Sequence, residues 1–280
     1  LLTTRKNMTE KRKKDIRLVV SDIDGTLIRR GEGFPKEVEQ AAAELKKRGI
    51  LFTFASGRLP YMITPYVKAL GIEIPVCACN GTLLYQKDEI LENHPLRLLL
   101  LRPMIEAALS REMTVLYSLN GTEYCMREND AVRRKRAERG SYHPIRPVSE
   151  GEWESLWADK VNISDEQGRI LNLLEWERPL ADSCDITHYG SQGLEIVRAG
   201  FGKAYGVRQI CANLGISMNQ VLAIGDNEND NEMLAEAGIG AAVGNAEPAT
   251  KACADLTAQK ESGAGVAEVI RRICFEENEE

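Results

Sequence analysis

Val19-Val20-Ser21-Asp22-Ile23-Asp24-Gly25-Thr26-Leu27 is the stretch that decides how this chain is read. The apolar run Leu18 to Val20 has the character of a buried strand, and two carboxylates follow it two residues apart. Side chains of a strand alternate between faces, so Asp22 and Asp24 leave the strand end on the same side. Gly25 turns the chain, and Thr26 offers a hydroxyl beside newly exposed backbone N–H groups. Two like charges this close repel. A hard cation relieves that repulsion, and Mg²⁺ takes oxygen ligands, usually sharing one or two carboxylates with a substrate phosphate. The same residues also suit a plain turn, since Asp, Gly and Thr are common loop formers. An EF-hand loop is excluded, because Leu27 stands where that loop needs glycine and Gly33 where it needs glutamate.

Outward from this point the chain alternates. Lys36 to Arg48 carries Val38, Ala41, Ala42 and Leu45 on one helical face, and Gly49 stops it. Ile50 to Ala55 reads as a second buried strand ending in Ser56-Gly57-Arg58, and Pro60 opens the next helix. Pro75 to Cys79 reads as a third strand, ending at Asn80-Gly81. Strand, helix, strand, helix, strand implies a parallel sheet with helices on both faces.

From Leu83 the texture changes. Leu83 to Tyr85 and Ile90 to Asn93 look like a hairpin, Leu96 to Arg111 like a helix. Thr114 to Leu119 and Glu123 to Met126 look like a second hairpin around Asn120-Gly121. A basic helix, a connector with Pro144 and Pro147, a strand near Val161 and another helix follow. Alternation resumes at Leu194 to Val197. It continues with a helix over Lys203 to Leu214, a buried strand over Val221 to Ile224 and a helix over Asn229 to Ala237. The strand Ile239 to Val243 and a last helix over Ala264 to Ile273 complete it. The fold class expected is therefore α/β: a doubly wound core built from residues 15–82 and 191–275, with an inserted α+β domain over 83–190. Residues 1–14 are expected to be a disordered tail, with 1–7, ahead of Met8, a cloning remnant; Glu276 to Glu280 is expected to fray.

Composition narrows the function classes. A length of 280 residues favours two domains, and a net charge of −6 argues against a nucleic-acid binder, whose footprint is a basic face. The cluster Arg133-Arg134-Lys135-Arg136 reads as a solvated helix face. Seven cysteines, an odd number without metal-ligand spacing, suggest reduced thiols and a cytoplasmic protein, with Cys77 and Cys79 in strand core. No apolar run approaches the roughly 18 residues of a membrane helix, and the charged N-terminus carries no secretory signal. The glycines at 200, 202 and 206 and at 238, 240 and 244 miss the dinucleotide fingerprint spacing by one residue.

Open parallel sheets bind ligands outside the carboxyl ends of their strands. Strand one delivers Asp22 and Asp24 there. Strand two delivers Ser56 at a helix N-terminus, either as an anion site or only as an N-cap. The strand Val221 to Ile224 delivers Gly225-Asp226-Asn227-Glu228-Asn229-Asp230, whose acids either cap a helix or join a cation site. Lys203 opens a helix, where a cation opposes the dipole; breaking a local rule beside a glycine bend is a mark of function. Together these groups describe phosphoryl transfer through a carboxylate intermediate. Asp22 attacks phosphorus, and Asp24 protonates the leaving oxygen, then activates water. Mg²⁺ is expected on Asp22, the Asp24 carbonyl and Asp226, and Thr26, Ser56 and Lys203 on the phosphoryl oxygens.

At this point the chain resembles the haloacid dehalogenase (HAD) superfamily of phosphatases, on four motifs: Asp22-Ile23-Asp24-Gly25-Thr26-Leu27, Ser56-Gly57-Arg58, Lys203, and Gly225-Asp226-Asn227-Glu228-Asn229-Asp230-Asn231-Glu232-Met233. The last motif, Asn80-Gly81 and the insert after the third strand resemble its Cof-type branch with a C2B cap. The resemblance runs from about Arg17 to Ile273. It implies a Rossmann-like core and a Mg²⁺-dependent phosphatase of small phosphorylated metabolites, often sugar phosphates, with the cap closing over the leaving group. It also implies that Gly57 and Arg58 sit with Ser56 at the phosphate, that Asn229 helps order the site and that Asp230 supports the metal shell. Serine at 56, where threonine is frequent in the family, keeps the hydroxyl. The cap is expected to set specificity; Arg127, His143, Trp153, His188 and Tyr189 are conceivable contacts, each more readily read as structural. The alternatives within enzymes are a phosphohexomutase or a dedicated sugar-phosphate phosphatase. Outside enzymes the alternative is a phosphometabolite-binding regulator, against which an intact Asp24 argues.

Overall fold

A computed structural model describes residues 15–29, 34–87, 89–140 and 142–275; the expected N-terminal tail and the acidic C-terminal end lie outside the described residues. Chain contacts divide the protein into two units, one running up to Glu92 and again from Gly202, the other Asn93–Phe201.

In the first unit, β1 (Leu18–Ser21) pairs in parallel with β2 (Leu51–Phe54). β3 (Val76–Ala78) touches β2's end through a single parallel bridge, Ala55 to Cys77. It then pairs antiparallel with β4 (Leu83–Gln86), and β5 (Glu89–Asn93) completes that small sheet. The hairpin read as the start of the insert thus extends β3 and stays with the first unit.

The second unit carries β6 (Leu96–Arg97), β7 (Thr114–Leu119), β8 (Thr122–Cys125), β9 (Trp157–Ala158), β10 (Val161–Ser164), β11 (Cys184–His188) and β12 (Gly193–Arg198). Five of them form an antiparallel sheet in the order β11-β12-β10-β7-β8. The β7–β8 turn is Asn120-Gly121 with φ of 50° and 76°, the left-handed pair that a tight hairpin requires. Two expectations are corrected here. Leu194 to Val197, expected in the core, belongs to β12, which pairs antiparallel with β10 and β11; a short buried apolar run does not reveal its partners. The helix expected over 96–111 is α-helical only at Arg102–Ser110, where Pro103 sits at its start; Leu96–Arg97 is strand and Leu98–Leu101 a 3₁₀ turn.

Returning to the first unit, β13 (Val221–Gly225), β14 (Ile239–Ala242) and β15 (Leu256–Thr257) extend the parallel sheet on β1's other side, giving the order β15-β14-β13-β1-β2. Strand alternation sorts the core into two layers. Val19, Leu222 and Ile224 pack with Val38, Ala41 and Leu45 of the helix Lys36–Lys47 and with Val266, Ala267 and Ile270 of the helix Ser262–Ile270. Leu18, Val20, Val221 and Ala223 pack with Val207, Ile210 and Cys211 of the helix Lys203–Leu214 and with Met233 and Leu234 of the helix Asn231–Glu236. Both faces are covered, as the apolar β1 and β13 require. Chain order reverses between β1 and β13, and the carboxyl ends of the strands at such a switch point are where open parallel sheets bind their ligands.

All seven cysteines are free thiols. Among the described residues no helix is long and apolar enough to cross a membrane. The helix Asp130–Arg139 directs Arg134 to Glu166 and Arg136 to Glu128, so the basic cluster is an ion-paired face.

Candidate active site

The site grows from the adjacency of β1 and β13, which Asp22 N continues by donating to Ile224 O at 2.9 Å. Asp22 is 4% exposed, directly beyond the β1 end. Lys203 begins its helix with Gly202 as N-cap and is buried. Its Nζ donates to Asp22 Oδ1 and Asp230 Oδ1, both at 2.8 Å. The lysine that opposed its own helix dipole is therefore held by two carboxylates. Asp230, fully buried, does two things at once: Oδ1 meets Lys203, while Oδ2 accepts the Asp226 and Asn227 N–H groups at 2.9 and 3.1 Å. Capping and site-building, set against each other in the sequence, are the same side chain's two oxygens.

Asp226 completes the cluster. Oxygens of Asp22, Asp226 and Asp230 lie within 4.8 Å of one another. Thr26 Oγ1 donates to Asp226 Oδ1 at 2.5 Å, so this hydroxyl faces an acid. Gly25 has φ of 85°, which favours glycine, and a Cβ there would come within 2.3 Å of Asp226 Oδ2 and displace that carboxylate.

Electrostatics follow from this crowding. Burial pushes the Asp22 carboxyl up to about 8 against the pull of Lys203, with Asp230 and Asp226 adding to the rise. Burial likewise pushes Asp226 up to about 6, against the Thr26 hydrogen bond. Burial alone would lower Lys203, but Asp22 and Asp230 outweigh it and keep the ammonium protonated. Three acids thus share one cation, an excess of negative charge that a divalent ion bound by oxygens would cancel. The donor set, all carboxylate, suits a hard cation.

Asp24 is arranged differently. Its side chain is 63% exposed and held bidentately by Arg58, Nε to Oδ2 and Nη2 to Oδ1, both at 2.6 Å. Arg58 also donates to the Tyr66 hydroxyl at 3.1 Å. Arg58, expected at a phosphate, pairs here with the second aspartate. Ser56 is fully buried and its Oγ accepts the Arg58 N–H at 3.2 Å. It does not stand at a helix N-terminus: the helix is Pro60–Leu70, capped by Leu59, because Pro60 fixes the first turn. Gly57 joins Ser56 to Arg58 in this loop. Asn229 Nδ2 donates to Asn80 Oδ1 at 2.9 Å, tying the loop after β13 to the one after β3. Asn80 takes φ of 55°, and its N–H bonds Ser56 O at 3.0 Å.

Sequence reasoning passed over Tyr66, Asn245 and Ser262. Asn245 Nδ2 donates to Gly25 O at 2.9 Å and Ser262 Oγ to the same oxygen at 3.1 Å. Asn245 follows β14, so the rule that singled out strand ends applied to it; nothing local marks Ser262.

The family model for haloacid dehalogenase-like hydrolases matches residues 19–270. The 5-amino-6-(5-phospho-D-ribitylamino)uracil phosphatase YbjI of Escherichia coli is 27% identical, covering 92% of this chain and 96% of that one. The pyridoxal phosphate phosphatase YbhA of the same organism is 27% identical over 91% and 97%. The crystal structure of TM0651 from Thermotoga maritima shares the fold, with a TM-score of 0.77 and 22% identity over 93% of this chain and 98% of that one. The matched span contains every residue of the acid cluster, and the chain belongs to the haloacid dehalogenase-like hydrolases, among relatives named as phosphatases.

Proposed function

We propose that the protein hydrolyses phosphomonoesters of small metabolites through an aspartyl-phosphate on Asp22, with Asp24 as acid and then base. The observation that carries this is the junction of Asp22, Lys203, Asp226 and Asp230, brought together from three separate segments. Asp22 supplies the nucleophilic oxygen; Lys203, fixed by Asp230, holds its carboxylate in place and offers positive charge to the phosphoryl group. Mg²⁺ would be held by Asp22, Asp226 and the Asp24 carbonyl, with Asp230 in support. When bound it would screen the nucleophile's charge from that of the phosphate. Thr26 and Asp230 keep Asp226 aimed at that position. Ser56 and its Gly57-Arg58 turn are tied to the loop after β13 through Asn80 and Asn229, and are proposed to meet the phosphoryl oxygens.

Asp24 must release the Arg58 guanidinium and take up a proton from solvent; it then gives that proton to the leaving oxygen as the P–O bond breaks and, as a carboxylate again, takes one from the attacking water. Its exposure leaves room for that release. Substrates are expected to be small phosphorylated molecules, sugar phosphates included. The relatives YbjI and YbhA, named for different substrates at equal identity, support the class without choosing a member. Seven free thiols support a reducing, cytoplasmic setting.

The test is phosphate release from a metabolite panel with and without Mg²⁺. Turnover is expected only with the metal, and Asp22→Asn is expected to be inactive on every substrate that the parent accepts; turnover by Asp22→Asn would refute the nucleophile assignment.

A further inference from the structure

The segment after β14 touches both acid-bearing loops. The Val243 and Glu247 N–H groups donate to the carbonyls of Gly225 and Asp226 at 3.2 and 2.8 Å. Between them, Asn245 Nδ2 reaches 220 positions back in sequence to Gly25 O. Ser262 Oγ supplies that oxygen's second donor, and Ser262 N donates to Asn245 Oδ1 at 2.7 Å. The amide's two partners are backbone groups of fixed polarity, a carbonyl and an N–H, so only one amide orientation satisfies both.

Two features set this contact apart from ordinary surface bonding. Ser262 is buried with φ of 47°, a left-handed conformation unfavourable to any side chain. Such strain persists where the surroundings over-determine it, and it concentrates at functional sites. Asn245, in contrast, is exposed, yet both ends of its amide are engaged. Two donors on its oxygen hold the Gly25–Thr26 peptide plane. That plane leads into Thr26, whose hydroxyl meets Asp226, and follows directly on Asp24.

We propose that Asn245 and Ser262 are positioning residues, a clamp that holds the Asp24-Gly25-Thr26 turn in register with Asp226 so that Asp24 meets the leaving oxygen. The proposal rests on the reading of Asp22 and Asp24 given above. It separates the clamp from general support of the fold, because its loss should fall on the step that needs Asp24.

The test compares Asn245→Ala, Asn245→Asp, Ser262→Ala and Ser262→Gly with the parent. Each is assayed with Mg²⁺ on p-nitrophenyl phosphate and on an alkyl phosphate whose poor leaving group needs an acid, with thermal melting alongside. Asn245→Ala should lower kcat on the alkyl ester about ten-fold, the worth of one hydrogen bond in the transition state, with little change in KM. Asn245→Asp, nearly isosteric, turns an oxygen on the Gly25 carbonyl and should lose roughly a hundred-fold. Both should lose less on p-nitrophenyl phosphate. Ser262→Gly removes the hydroxyl and the strain together, so it should lose kcat as Ser262→Ala does while melting no lower than the parent. Parental turnover in Asn245→Asp, or losses that follow melting temperature across the four variants, would overturn the clamp alone. A parent releasing phosphate from neither ester, nor from a wider metabolite panel, would sink the hydrolytic reading and the clamp with it.

Discussion

Each unit of this protein buries a lysine, and the two lysines have opposite surroundings. In the second unit Lys160 donates to Glu195 at 2.6 Å, with side chains 9% and 3% exposed. Asp159 beside it directs its oxygens to Asn93 Nδ2 and the Gly121 N–H. In the first unit Lys203 is at least as buried, but the acids Asp22, Asp226 and Asp230 crowd around it. Among the described residues no comparable trio of acids forms in the second unit. A buried lysine matched to one glutamate ties its strands together; one crowded by three acids is held together by the fold and calls for a further cation. Burial alone therefore does not mark the functional lysine. The surplus of carboxylates does.

Substitution of the two lysines breaks the comparison most strongly. Lys203→Met should lower kcat at least about a thousand-fold and cost about 3–5 kcal/mol of stability, since it leaves facing carboxylates uncompensated. Lys160→Met should cost a similar 3–5 kcal/mol, yet leave kcat of the folded protein within about two-fold. Denaturant unfolding with steady-state kinetics reads both effects. Adding Glu195→Leu should return much of the stability lost in Lys160→Met; no second change should return activity to Lys203→Met.

The pH dependence of stability sharpens the same point. Asp22 and Asp226 hold their protons up to about 8 and about 6 in the folded chain, against 3.8 ordinarily. The folded state thus binds more protons than the unfolded one across that window. Under chelator, stability should be fullest near pH 4 and fall as pH rises towards 8; saturating Mg²⁺ should flatten or reverse that slope. Melting curves in buffers of equal ionic strength read this directly. The smallest effect belongs to the exposed ion pairs: Arg134→Ala, which removes the Glu166 contact, should leave the melting temperature unchanged.

Much of the first unit was legible because its signals are local. The apolar runs of β1, β2 and β13, the stop at Gly49 and the start at Pro60 specify their own elements. β12 was misplaced because Leu194 to Val197 would suit either sheet; pairing partners, not residue types, decide its unit. In the site, Asp22, Lys203, Asp226 and Asp230 could be singled out since each violates a local preference or crowds like charges. The pairing of Arg58 with Asp24 could not be read in advance, because it spans 34 residues and depends on where two loops end. Ser262 was invisible for the same reason: a serine opening a helix is ordinary until the fold sets it on Gly25, whereas Asn245, just past β14, lay within reach of the strand-end rule.

The central claim is that the Asp22 carboxylate is the group that receives phosphate. Rapid acid quench during turnover, followed by peptide mass mapping, tests it most directly. The account predicts one phosphoryl group on the peptide bearing Asp22 in the parent and none in Asp22→Asn. A phosphoryl group on any other residue, or phosphate released at the parental rate by Asp22→Asn, would contradict it.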